Sequence, residues 1–302
     1  VTSEFNDQPS LLRSFRGSAL WSRLEDGGDL IFVGAGDSYA ASLCASFLAG
    51  PRVLSYDPYS LAESIGWAKG RRVYVISVSG ETRSNIELAR ALKGIAERTT
   101  AVTCNAQSRL AAVADSVVEI PFKPRGKSPG VASFTLSLAA ALRICGLDPD
   151  LEFGQVLSRA IALSKRILIA GRPNVTHLTG NNEAYAASLY GAAKIYELLG
   201  RRAQASLLEE FSHMPLFSLS ASDSVNVVDL GGPNEKRLYE SLREGGYDSS
   251  LVRPEGGKVE RLFLLVFALQ MSAITAARKA GLKAPYFLGA KKKLRTSDEM
   301  IY

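Results

Sequence analysis

From residue 30 onward the chain alternates short apolar runs with stretches whose apolar positions recur three and four residues apart. DLIFVGAG, VLSY, RRVYVISVSG, TTAVTC and SVVEIPF are near-continuous apolar runs that end in small or polar residues. Between them stand YAASLCASFLAG, YSLAESIGWAK, ETRSNIELARALKGIAER and SRLAAVAD, and GVASFTLSLAAALRICGL closes the series. The runs predict strands buried on both faces, and the spaced stretches predict helices. Strand and helix in alternation predict a parallel sheet covered by helices on each side.

The pattern then recurs. A helical stretch, LEFGQVLSRAIALSKRILIAG, leads to NVTHLTGNN, then EAYAASLYGAAKIYELLG, SVNVVDLGG, NEKRLYESLREGG, YDSSLVRP and a long final helix, VERLFLLVFALQMSAITAARKAGL. NNEAYAAS in the second half echoes GDSYAAS in the first, and no low-complexity linker parts them. The expected architecture is α/β, two doubly wound parallel-sheet subdomains in tandem, over residues 1–150 and 151–302.

Composition narrows the classes. With 46% apolar and 22% charged residues over 302, the chain can bury a large core. A net charge of +6 favours anionic ligands, but the basic residues are dispersed. Only 291–293 with Arg295 form a tight run, so no nucleic-acid face is expected. Three scattered cysteines without a C-x-x-C spacing, and only two histidines, argue against a disulfide framework or a metal centre. The longest apolar run, 262–277, is shorter than the ~20 residues of a bilayer span and carries Gln270, Ser272 and Thr275. It is expected in the core rather than in a membrane. The polar start VTSEFNDQPS is no signal peptide, so a cytoplasmic protein is expected.

Ligands of open parallel sheets bind beyond the carboxyl ends of the strands. Three first-half segments converge there: GAGDSYAA with Gly36 and Ser38, SVSGET with Ser77, Ser79, Gly80 and Thr82, and SPGVAS with Val131 and Ser133. Each precedes a helix, whose first N–H groups lack partners and carry partial positive charge. A serine in such a place is also an ordinary N-cap. Three such loops at one sheet edge favour an anion site. The Gly34–Gly36 spacing lacks the ribose-binding acid of a dinucleotide fingerprint, and Asp37 would repel a pyrophosphate, so a monophosphate fits better.

SVSGETRSNIELARALK resembles the signature of sugar isomerase (SIS) domains, whose subdomains are flavodoxin-like, and GAGDSYAAS and GVASFTLSLAAAL resemble that family's other ligand loops. Two halves in tandem are similar to the isomerase domain of glucosamine-6-phosphate synthase and to archaeal-type phosphosugar isomerases and glucosamine-6-phosphate deaminases; EFNDQPSLL resembles the start of such a domain. The resemblance implies sugar-phosphate-binding roles for Ser38, Ser77, Ser79 and Thr82, and sugar contacts for Val131 and Ser133. In AAKIYELLGRRAQASLLEEFSHMPL it implies a substrate-contacting Lys194, a base at Glu197, and a ring-opening His213 contributed across a homodimer interface. In APYFLGAKKK it implies a Lys291 that forms a Schiff base or contacts phosphate. His177 is left as structural. Asp37, Val78 and Met214 depart from the family's pattern, residues 294–302 run beyond its usual end, and without a glutaminase segment among these 302 residues glutamine is not expected to be the nitrogen donor within this chain.

Lys194 and Glu197 lie three residues apart and share a helix face, as a surface ion pair would. Their apolar neighbours leave little polar surface, and a carboxylate among apolar groups can serve as a base. The expected reaction interconverts glucosamine 6-phosphate with fructose 6-phosphate and ammonia, with no metal or cofactor. A nitrogen-free isomerase of glucose or mannose 6-phosphate is the alternative, and a non-catalytic sugar-phosphate regulator is a third. The second half has DLGGPNE where the first has SVSGET, so a single cradle per chain is expected.

Overall fold

The computed structural model describes every residue except 25, 26 and 125. Its contacts divide the chain into two units. The first comprises Asp7–Asp150 with Lys292–Tyr302, the second Leu151–Lys291 with Val1–Asn6.

Helix α1 (Thr2–Arg16) crosses from the second unit's N-terminal residues into the first. The first unit then runs β1 (Leu30–Gly34), α2 (Asp37–Ala49), β2 (Val53–Tyr56), α3 (Pro58–Glu63), β3 (Arg72–Ile76), α4 (Arg83–Ala91), β4 (Arg98–Thr103), α5 (Arg109–Val113), β5 (Ser116–Glu119) and α6 (Ala132–Ile144). Its strands are all parallel, in the order β2-β1-β3-β4-β5. Every residue of β1 is buried, as the unbroken apolar run requires of a strand covered twice. α4 turns Ile86, Leu88 and Ala89 inward against Ile31, Val33, Val73 and Val75, and leaves Arg83, Glu87 and Arg90 outside.

The second unit runs α7 (Phe153–Ser164), β6 (Val175–Thr179), α8 (Glu183–Leu199), β7 (Arg202–Ser206), α9 (Leu208–His213), β8 (Ser224–Val228), α10 (Glu235–Glu244), β9 (Ser249–Val252), α11 (Lys258–Lys279) and α12 (Tyr286–Gly289); α13 (Lys291–Ile301) follows. Its parallel sheet has the order β7-β6-β8-β9. That is the first sheet's order without a fifth strand. α11 is long and apolar enough to cross a membrane, yet it is the core helix of this unit, with Phe263, Leu265, Phe267 and Gln270 fully buried. Its rings pack edge-on: Phe263 against Phe153 and Phe267 against Phe5. Each such burial stabilises by roughly 1.5–3 kcal/mol.

The helix expected over 59–69 is broken. Asp57 caps a short α3 by accepting the N–H groups of Tyr59 and Ser60. The chain then leaves the α form at Ser64 and makes a 3-10 turn over Ile65–Ala68. Five further elements were not foreseen: α1, β7, α9, α12 and α13. α1 contains Pro9, and a proline with a polar surround masks a helical pattern. β7, a short strand with alternating burial at its start, lies at the sheet edge and lacks an apolar run. α13 buries no residue, so it has no apolar stripe to read.

The two halves repeat to the level of backbone angles. Gly36 before α2 has φ 56° and ψ −123°; Asn182 before α8 has φ 50° and ψ −126°. A left-handed φ suits glycine and strains other residues by about 1–3 kcal/mol. Asn182→Gly is therefore expected to raise stability by about 1 kcal/mol, the relief less the entropy a glycine loses on folding. Asn182→Ala, which lacks asparagine's tolerance of this region, is expected to lower it. Urea denaturation of the three proteins reads both signs.

His177 lies in the middle of β6, 4% exposed, with Phe211 edge-on to its ring. Burial pushes its pKa below the ordinary 6.5, while Asp223 pulls the other way. The unfolded chain therefore takes up a proton near pH 6.5 that the folded unit refuses. Stability is expected to fall as the pH drops below 6.5, until the lowered folded pKa is passed. Asp57, Glu81 and Asp223, held below ordinary values of 3.8, 4.5 and 3.8, give their own losses only at lower pH. Thermal melts of the protein and of His177→Leu between pH 7.5 and 5 check this, since the variant should lose the upper step.

Candidate functional site

The order of the first sheet reverses between β1 and β3, where chain connections depart to opposite sides and a ligand crevice opens. Gly34 of β1 pairs with Ile76 of β3, so residues 35–38 and 77–82 leave the sheet side by side. Gly34 permits this, because a Cβ there would overlap the Ser38 backbone. Gly130 brings in the third segment. A Cβ on it would lie 2.5 Å from Asp37 Oδ2 and 3.3 Å from Ser133 Oγ. GAGDS and GVAS are thus packed together as the sequence predicted.

The 77–82 loop is held from behind. The Ser77 N–H donates to the Val102 carbonyl at 2.9 Å, extending the sheet by one residue. The Val78 carbonyl accepts the Cys104 N–H at 3.0 Å and the Thr103 hydroxyl at 3.2 Å. Gly80 has φ +68°, and a Cβ there would overlap the Ser108 hydroxyl, so glycine is required on both counts. Its carbonyl accepts the Leu110 N–H at 3.0 Å. Glu81 clamps the loop to α5: its carboxylate accepts the Arg109 N–H at 3.0 Å and Nε at 2.5 Å. The Arg109 bond holds this carboxyl below its ordinary range. The acid in S-G-E-T is therefore a structural clamp, a role the spacing to Arg109 did not reveal.

What the loop offers is hydroxyls and helix ends. Ser77 is 2% exposed, and its Oγ lies 3.3 Å from Thr82 Oγ1. That is long for an O–H···O bond, so the two groups converge without satisfying each other. Ser79 is exposed, and its Oγ accepts the Glu81 N–H at 3.2 Å. The reading of these residues as ordinary caps can now be tested. Asp57 and Ser108 do cap α3 and α5. Gly36, Thr82 and Val131, the N-cap residues of α2, α4 and α6, make no side-chain cap. The first bond of α4 runs from the Ile86 N–H to the Thr82 carbonyl at 3.2 Å. The amides of Arg83, Ser84 and Asn85 therefore have no carbonyl behind them in the helix. Ser38 and Ser133 stand at the starts of α2 and α6, each under a tenth exposed. An anion suits this edge.

The second unit keeps the loop's length and changes its chemistry. The Asp229 N–H donates to the Val252 carbonyl at 3.0 Å, as Ser77 does to Val102. Counting on from there, Asp229, Gly231 and Asn234 stand where the first loop has Ser77, Ser79 and Thr82. Asp229 is buried, with Oδ1 accepting the Gly231 N–H at 2.7 Å and Oδ2 3.1 Å from Arg253 Nε. Glu235, 3% exposed, accepts the Asn234 N–H at 3.2 Å. Carboxylates occupy this edge in place of hydroxyls.

The second unit also holds the candidate base. Lys194 on α8 is 0% exposed, and its Nζ lies 2.5 Å from Glu197 Oε2 and 5.0 Å from the centre of the Tyr190 ring. The Glu197 side chain is 32% exposed. Tyr190 OH accepts a bond from the buried Gln270 of α11 at 2.9 Å. Gln270, Tyr190, Lys194 and Glu197 thus form one polar file across two helices. The i, i+3 pair is real, but its cation is interior rather than on the surface. Tyr190, four residues before Lys194 on the same face, is the partner that sequence reading missed, and that spacing was the available signal.

His213 ends α9 with its side chain 74% exposed, and Nε2 lies 3.3 Å from Glu209 Oε1. Lys291 begins α13, exposed, and its side chain makes no ion pair or hydrogen bond among the described residues. Among the described residues, neither is hydrogen-bonded or ion-paired to Lys194 or Glu197. Burial, with Glu119 adding for Cys104, pushes the thiols of Cys104 and Cys145 up to about 12, far from a nucleophile's range.

Removing the carboxylate takes the ion pair from an enclosed ammonium. Glu197→Gln is expected to cost about 2 kcal/mol, below the roughly 3–5 kcal/mol of fully enclosed pairs because Glu197 is partly hydrated. Lys194→Met is expected to cost less, and adding it to Glu197→Gln should recover stability. Urea denaturation of both single variants and the double variant measures the coupling.

No family model matches the chain, and no curated protein does. Solved structures do. Glucosamine-6-phosphate deaminase from Thermotoga maritima is similar over 94% of this chain and 97% of its own, with 20% identity and a TM-score of 0.76. The C-terminal domain of glucosamine-fructose-6-phosphate aminotransferase from Francisella tularensis is similar over 94% and 97%, with 18% identity and a TM-score of 0.73. Tagatose-6-phosphate ketose/aldose isomerase from Escherichia coli is similar over 93% and 94%, with 17% identity and a TM-score of 0.76. The chain has the fold of these three proteins, each named for a sugar 6-phosphate.

Proposed function

We propose that the chain is a phosphosugar isomerase-type enzyme with tandem SIS domains, interconverting glucosamine 6-phosphate with fructose 6-phosphate and ammonia. The observation that carries this reading is the cradle at residues 77–82. Its converging Ser77 and Thr82 hydroxyls and the uncapped start of α4 match the acceptors of a phosphate monoester. Ser38, Ser79, Gly36, Gly80, Val131 and Ser133 complete the ligand loops. The functional division follows residue 150, with the first half holding phosphate and the second supplying acid and base.

In this reading the sugar ring opens with His213 moving the proton. Glu197 then takes the C2 proton and returns it to C1, which turns the aldehyde and amine into a hydroxymethyl group and a C2 imine. Water replaces the imine nitrogen, leaving fructose 6-phosphate and ammonia. Lys194 fixes Glu197 in place, and Lys291 contacts phosphate or the open keto sugar. The exposure of His213 on its own chain supports a homodimer in which it serves the partner's site. A cytoplasmic setting suits the substrate. A nitrogen-free aldose–ketose isomerase is the second reading. It is supported by the equal TM-score to a protein named as a ketose/aldose isomerase.

Incubation with glucosamine 6-phosphate, assaying ammonia and fructose 6-phosphate together, tests the first reading. Both products are expected in equal amounts. Glu197→Gln should lower kcat by about 10²–10⁴-fold. Ser77→Ala with Thr82→Val should raise KM more than it lowers kcat. Turnover of glucose or mannose 6-phosphate without any from glucosamine 6-phosphate would select the second reading. Binding of all three without turnover would make the chain a sugar-phosphate regulator.

A further inference from the structure

We propose that a separate pocket of the second unit, between α7, α11 and the connection that follows α7, binds a small organic anion with an apolar body. The cavity is about 460 Å³, within the range of small-molecule sites. Ile161, Ile167, Met271 and Ala276 give it an apolar floor. One wall is fixed: Asn226 accepts the Leu168 N–H at 2.8 Å and donates to the Leu168 carbonyl at 2.9 Å, and the Thr176 hydroxyl accepts the Ala170 N–H at 2.9 Å. The cavity is therefore preformed.

Its charge is of one sign. Lys165, Arg201 and Lys279 line it, and no acidic residue does. None of the three is ion-paired among the described residues; Arg201 makes one long bond, 3.4 Å, to the Ala170 carbonyl. Each stands at a helix C-terminus. Lys165 is the C-cap of α7, Arg201 follows the C-cap of α8, and Lys279 ends α11. Cations there offset the partial negative charge of helix ends, and that would explain any one of them. Three full charges against three ends of about half a charge leave a surplus of roughly 1.5 charges around one cavity.

The pocket is not built for a sugar. The hydroxyls of Ser164 and Ser272 donate to the Ile161 and Leu269 carbonyls of their own helices, at 2.8 and 2.9 Å, and Thr275 turns to the Met271 sulfur. What faces the cavity is hydrocarbon and positive charge. A carboxylate, phosphate or sulfate carrying a short hydrocarbon body meets both. The inference stands apart from the sugar-phosphate reading, since the cradle lies in the first unit.

Calorimetric titration of the full chain with sodium octanoate tests it, with 1-octanol and inorganic phosphate as comparison probes. Saturable binding of one octanoate per chain is expected, unchanged by added fructose 6-phosphate. Arg201→Ala with Lys279→Ala should weaken it roughly tenfold or more, the loss of a charge-assisted contact. Ala276→Trp should abolish it by filling the floor. Melting curves establish that the variants fold, and the surface double variant decides the matter if Ala276→Trp does not fold. The inference fails if no saturable octanoate binding occurs, if 1-octanol binds as well as octanoate, or if the double variant binds unchanged. It also fails if octanoate competes with fructose 6-phosphate, or if the variants alter self-association in sedimentation while octanoate leaves the protein untouched.

Discussion

The reversal of strand order between β1 and β3 is the constraint on which the candidate site rests. A right-handed crossover from β1 to β2 and another from β3 to β4 send α2 and α4 to opposite sides of the sheet. Two helix starts must then meet at the ends of adjacent strands, and no third strand end fills the space between them. The residues obey this geometry before they obey any ligand. Gly34 has no Cβ because the backbone of α2 crosses it, and Gly80 has none because the Ser108 cap of α5 lies against it. Ser77 is placed by the sheet ladder rather than by its loop, so its hydroxyl is fixed to the rigid part of the fold.

The second unit applies the same reversal to other ends. Its loop after β8 has the same ladder bond and the same length, yet Asp229 and Glu235 bring carboxylates to the edge where the first unit keeps hydroxyls. Glu235 folds back onto the Asn234 N–H at the start of α10, so that helix end is served by a group from its own chain. An external phosphate would meet two buried acids there. One scaffold used twice thus differs in side-chain chemistry at the same edge, with carboxylates in the second unit where the first has hydroxyls.

How much of this was legible depends on whether the signal was local. The strands announced themselves because a doubly covered strand must be apolar along its length. The echo between GDSYAAS and NNEAYAAS marked two helices that start from the same rare backbone conformation, with Gly36 and Asn182 at matching positions. The loops that meet at the sheet edge were legible because hydroxyls and glycines clustered after strands. Unread were features whose cause lies elsewhere in the chain. Glu81 looked like part of a binding motif until Arg109 was placed against it. β7 pairs only with β6 and needs no apolar run. The cap that ends α3 early and the polar file behind Glu197 likewise depend on partners that periodicity does not show.

That file gives the second unit its chemical direction. An enclosed ion pair is a weak source of stability, since the cost of dehydrating the charges cancels most of their attraction. Its geometry is better understood by its asymmetry. Lys194 is 0% exposed, walled by Tyr190 and by the apolar neighbours of α8, while Glu197 is 32% exposed. The carboxylate is the solvent-facing member of the pair. The cation lies against Glu197 and over the Tyr190 ring, and Tyr190 is held in turn by Gln270 of the core helix. Here the nitrogen points inward and the carboxylate is pinned from behind with one side open. Such an arrangement orients a carboxylate, and it does so from helix packing rather than from a mobile loop.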